Sequence, residues 1–113
     1  MCADIVDRLT ILEIKLEKIS DPTKLEIVRT EIESLGVVPD VGPFKNLLYK
    51  INQVLWEVED KLRELEEKEE FDQEFILLAR SVYFTNDLRS RVKTQISKIL
   101  GEKIREIKSY KGM

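Results

Sequence analysis

From Ile5 the apolar residues fall at Ile5, Leu9, Leu12, Leu16 and Ile19, a four-three-four-three spacing that draws one stripe down a helix. Ile11 and Ile14 widen it, and the spacing predicts a helix over 4–19. Asp21 then stands as a helix cap before Pro22 as a first helical residue, so a second helix is expected over 22–35, with Leu25, Val28, Ile32 and Leu35 as its face and Gly36 as its stop. So short a link makes these two an antiparallel hairpin with arms of roughly 24 and 21 Å.

The stretch Val37 to Pro43 holds two prolines and a glycine, which continue neither neighbouring helix, and reads as the linker of the chain. Beyond it, Phe44, Leu48, Ile51, Leu55, Val58, Leu62 and Leu65 keep the four-three alternation and predict a third helix over 44–70. Its end, RELEEKEE, is nearly all charge, with Glu59 to Arg63 and Glu64 to Lys68 spaced as i,i+4 pairs on a solvated helix end. Asp72 is placed to cap a fourth helix. There Phe71, Phe75, Leu78, Val82, Thr85, Arg89, Val92, Ile96 and Ile99 stay in phase although two of them are polar. Unbroken phase favours one helix over 73–100, with a kink or a break at 85–87 as the alternative. Gly101 is expected to stop it, leaving 101–113 as an extended tail.

The sequence therefore predicts a single all-α domain: a short N-terminal helical hairpin packed on a long antiparallel helical hairpin, with an extended C-terminal tail. If the long hairpin turns near residue 71, positions whose numbers sum to about 142 lie side by side. Glu59 then sits near Tyr83, and Gln53 near Arg89.

The strings NLLYKINQVLWEVEDKLRE, FDQEFILLARSVYFTNDLR and EIKSY, with the opening IVDRLTILEIKLEKISDPTK, resemble an uncharacterised family of small bacterial proteins. The resemblance covers most of the chain and touches no catalytic motif. It implies a domain of unknown function, in a family whose members are sometimes encoded near glycan and sugar-transfer genes. Members often begin with a short extended stretch, whereas this chain enters its first helix almost at once.

Composition narrows the chemistry. The 22 acids and 19 bases are spread along all 113 residues for a net charge of −3, so no field of one sign is built to draw in nucleic acid. No apolar run approaches the roughly 20 residues that span a bilayer, and MCADIVDRL carries aspartates where a signal peptide has a basic region, so neither membrane insertion nor export by that route is expected. A lone cysteine, Cys2, read as exposed, suits a reducing cytoplasm. With no histidine, Ser-His-Asp and Cys-His catalysis and the Glu-x-x-His sites of di-iron bundles are excluded. The four glycines are scattered, at 36, 42, 101 and 112, so there is no phosphate loop, and no cofactor is expected. Glu66-Glu67-x-x-Glu70 has the look of a magnesium-binding pyrophosphohydrolase helix, but a second acidic pair is missing, because the matching offset after Glu74 is Leu77.

One polar stripe runs beside the seam. Tyr49, Asn52, Trp56, Glu59 and Arg63 follow one line of the third helix, and Arg80, Tyr83 and Asp87 a line of the fourth. Tyr49, Asn52, Trp56, Glu59, Arg80, Tyr83 and Arg89 are the candidate binding residues, an aromatic surface edged by amide and charge that suits a sugar or nucleotide. The structural alternative is a Glu59–Arg80 ion pair, half-buried Trp56 and Tyr83, and Thr85 and Arg89 setting helix register. Arg89, on the apolar seam, requires partners, and Asn52, Gln53, Trp56, Thr85 and Asp87 are within reach of it. The pattern thus points to a non-enzymatic interaction or assembly module, meeting a protein partner or a second copy through apolar helix faces. The motive is surplus apolar residues off the seams, Leu47, Val54, Ile76, Leu77 and Phe84. The alternative is an accessory protein that binds a nucleotide sugar or other anionic small molecule at the Trp56 stripe.

Overall fold

The computed structural model describes the backbone of residues 2–111 and the side chains of residues 3–101. It contains four helices: α1 (Cys2–Lys18), α2 (Pro22–Ser34), α3 (Pro43–Glu67) and α4 (Gln73–Lys111). The Cys2 side chain, and those of the tail, lie outside the described residues.

Local chemistry sets the boundaries. The Asp21 carboxylate accepts the Thr23 backbone N–H at 2.9 Å, satisfying one of the free donors at the start of α2, and Pro22 occupies the first turn where its missing N–H costs nothing. Gly36 follows α2 with φ +68°, the left-handed conformation that ends helices. In the linker, Asp40 Oδ1 accepts the Gly42 N–H at 2.9 Å, and Gly42 itself has φ +61°. This turn aims Pro43 into α3 and seats Val41 in the core. The end of α3 is less comfortable. The N–H of Glu70 bonds the Leu65 carbonyl at 2.9 Å and that of Glu69 the Glu66 carbonyl at 3.0 Å, a Schellman pair that places Glu69 at φ +56°. A glutamate there carries the steric cost that glycine avoids.

Two expectations are corrected. Gly101 does not stop α4, and the tail is not extended: the helix runs on to Lys111. Glycine inside a helix costs about 1 kcal/mol against alanine, a handicap rather than a stop, and Leu100, Ile104 and Ile107 carry the four-three spacing on. The alternative break at 85–87 is absent, since α4 passes through Thr85-Asn86-Asp87 without interruption. At the other boundary α3 closes at Glu67, so Glu69 and Glu70 belong to the turn.

α3 and α4 form the long antiparallel hairpin, with Lys61 and Glu74 paired at 3.9 Å near its turn. α1 lies against both, and among the described residues α2 touches α1 alone. α1 is therefore covered on two sides. Ile5, Leu9, Leu12, Leu16 and Ile19 form the stripe legible in the sequence, and its most buried member, Leu12, is fully covered. A second line, Ala3, Val6, Asp7, Thr10 and Ile14, lies about 155° round the helix, and all five are buried. The main core joins Ala3 and Val6 with Val41, Leu48, Ile51, Leu55, Val92, Ile96 and Leu100. The molecule is elongated, 64 × 34 × 18 Å, with a radius of gyration of 17.6 Å against about 13 Å for a compact chain of this length.

Candidate functional site

The hairpin-facing line of α1 carries two polar residues into the core, and the polar cluster of the protein is built on them. Asp7 is 4% exposed and Asn52, on α3, 6%. Asn52 Nδ2 donates to Asp7 Oδ1 at 2.8 Å and to Thr10 Oγ1 at 2.9 Å, while the Thr10 hydroxyl donates to the Asp7 carbonyl at 2.7 Å. From α4, Arg89 Nε donates to Asp7 Oδ1 at 3.1 Å and its terminal nitrogen to Oδ2, a two-point grip. Lys93 Nζ lies 3.8 Å from Asp7 Oδ2 and 2.7 Å from Asp4 Oδ1. One carboxylate thus ties α1 to α3 and α4 together.

Burial pushes the Asp7 carboxyl up. Hydrogen bonds from Arg89 and Asn52, with the charges of Arg89 and Lys93, pull it down further than burial raises it, and its pKa lies below the usual carboxylate value. Arg89 is held charged by its hydrogen bonds to Asp7. Asp4 is lowered to about 2, chiefly by its bond from Lys93.

Arg89 does find acceptors, and at mid-hairpin, but the acceptor is Asp7 of α1 and not the residues of α3 and α4 expected from the sequence. A third helix over the seam brings a buried full opposite charge, whereas of the expected residues only Asp87 is charged, and it is exposed. Asp7 escaped sequence reading because a carboxylate and a threonine interrupt the second line of α1. Its signal was the spacing of Ala3, Val6, Thr10 and Ile14 around it.

The seven candidate residues divide. Asn52, Trp56, Glu59 and Arg89 line one groove of about 220 Å³ together with Ile11, Ile14 and Leu55. Tyr49 belongs to a different groove, beside Glu13, Glu17, Lys45 and Asn46, where its hydroxyl donates to Glu17 and its pKa is pushed up to about 12 by that bond. Arg80 and Tyr83 are brought to neither; Tyr83 is 76% exposed. Among the described residues the ion pairs do not include Glu59 with Arg80, and Arg63 pairs with Asp60 at 3.3 Å rather than with Glu59. A further groove of about 320 Å³ runs between α1 and α4, lined by Asp4, Asn86, Arg89, Ser90, Lys93 and Thr94 among others.

Chemically, the cluster is a closed ledger of charge: Arg89 and Lys93 face Asp7 and Asp4, so little positive charge is left over for an anion. Glu66, Glu67 and Glu70 do not share a helix face, because Glu70 lies past the left-handed turn. No group of three or more acidic or cysteine side chains among the described residues is gathered as a metal site requires, and no helix among them is long and apolar enough to cross a membrane.

Among the described residues the buried polar constellation braces α1, α3 and α4 together, and the fold is an all-α domain. The chain belongs to a family of unknown function, DUF6165, whose model matches residues 1–113. No curated protein and no solved structure matches it.

Proposed function

We propose that this chain is a non-enzymatic interaction or assembly module, and that the working surface is the side of the α3–α4 hairpin that α1 does not cover. The observation that carries the reading is the distribution of exposed apolar side chains. Leu47, Val54, Ile76, Leu77 and Phe84, the residues off the seams, are all exposed, as is Leu88. Phe84 is 67% exposed. Single exposed apolar residues are ordinary, but a grouped set on one face marks a surface that is covered when the protein works.

Helix geometry groups all of them but Ile76, which lies about 100° round α4 from Lys93. At 100° per residue, Leu77, Phe84 and Leu88 lie about 140–180° round α4 from Lys93, which faces α1, and Leu47 and Val54 lie about 140–160° round α3 from Asn52, which also faces α1. α2 does not reach this side, since among the described residues it touches α1 only. The alternative reading, an anionic ligand at the Trp56 groove, draws less support because the Arg89 charge is committed to Asp7.

The test is a photo-crosslinking scan in living cells. Crosslinkers placed at 77, 84 and 88 should each give one discrete adduct of the same mass, identified by mass spectrometry, and crosslinkers at exposed Lys24 and Arg29 should not. Absence of any adduct at those three positions overturns the reading.

A further inference from the structure

The geometry points to a second copy of this chain as the occupant of that face, packed hairpin to hairpin about a two-fold axis so that α3 and α4 of each protomer close a four-helix layer. This rests on the assembly reading above and names its partner. Three observations favour self-pairing. The first is exposed apolar area: Leu47, Val54, Leu77, Phe84 and Leu88 on this face are 42%, 47%, 54%, 67% and 46% exposed, and a standard interface hides roughly 800 Å² on each partner. The second is the size of the face. α3 is 25 residues long, and two helices side by side over that length present about 37 × 19 Å, or roughly 700 Å², close to one half of such an interface.

The third is shape and charge. The face consists of two antiparallel helices, which is half of a four-helix bundle. Along its α4 border stand Arg80, Asp87 and Arg91, both signs on one edge, while on α3 Glu57 is held by Lys18 of α1 and Lys61 by Glu74. A two-fold operation can set such an edge against itself, whereas a partner of one strong charge finds no matching field.

Sedimentation velocity on the purified full chain tests it, from about 1 to 100 µM. The expected result is a dimer of twice the 13.3-kDa chain mass, with Phe84→Glu and Leu88→Lys each weakening association at least about ten-fold while the far-ultraviolet helical signal stays unchanged, and Tyr83→Ala leaving it as it was. If Phe84→Glu does not fold, Leu88→Lys and Leu77→Lys carry the same expectation. A single monomeric species at the highest concentration overturns self-pairing, as does a dimer indifferent to substitutions that keep their helicity. A monomer whose photo-crosslinks at 77, 84 and 88 lead to another protein overturns self-pairing and leaves the assembly reading standing.

Discussion

Replacing Arg89 with leucine isolates the contact that binds α1 to the long hairpin. If Arg89 were a lone cation on an apolar seam, leucine there would be neutral or stabilising. The structure reverses that expectation, because the loss of the guanidinium leaves Asp7, whose side chain is 6% exposed, without its two-point partner. Removing one member of a buried pair costs about 3–5 kcal/mol in general. Here Asp7 retains Asn52 at 2.8 Å and Lys93 at 3.8 Å, and the Arg89 side chain is 30% exposed, so the expected cost is about 2–3 kcal/mol. For a domain of this size that lowers the melting temperature by about 10 °C. Chemical denaturation of wild type, Arg89→Leu, Asp7→Leu and the double variant at one fixed protein concentration completes a cycle. The double variant should be less destabilised than the sum of the singles by at least about 1.5 kcal/mol, since it leaves no charge stranded. A cost for Arg89→Leu within about 0.5 kcal/mol of zero, or a coupling near zero, would refute the pairing of α1 with α4 through these two charges.

Other outcomes follow from the same geometry. Asn52→Leu removes two hydrogen bonds from buried acceptors and should cost about 1–3 kcal/mol, measured by urea unfolding. Because the folded pKa of Asp7 is depressed, its contribution is present above the unfolded value near 4 and is lost as pH falls through the lower folded value; the stability gap between wild type and Asp7→Asn should therefore be widest near pH 6 and close towards pH 2. Glu69→Gly should stabilise the chain by roughly 0.5–1 kcal/mol in thermal melts, by relieving the left-handed glutamate at φ +56°. No gain there would show that the turn between α3 and α4 relaxes in solution.

The elements were legible in the sequence because each is governed by short-range chemistry. Apolar residues at three- and four-residue spacing, Asp21 before Pro22, Gly36 and the two prolines of the linker act within one or two turns, and the helix starts at Pro22, Pro43 and Gln73 agree with them to within a residue. Gly101 misled because its local penalty, about 1 kcal/mol, is small against the register of the whole helix. The candidate site was half legible: Asn52 and Arg89 stood out as polar residues on an apolar phase, and the structure joins them in one network. Their partner was not, since Asp7 is separated from Arg89 by 82 positions and from Asn52 by 45. The spacing of Ala3, Val6, Thr10 and Ile14 around Asp7 marks a second line on its helix but does not say which helix covers it. Tertiary packing alone decided that α1 is a middle layer, that α2 stops at it, and that one face of the long hairpin is left open. Periodicity sets how much apolar surface each helix carries; which surface meets which depends on long-range closure and on the charges that closure must neutralise.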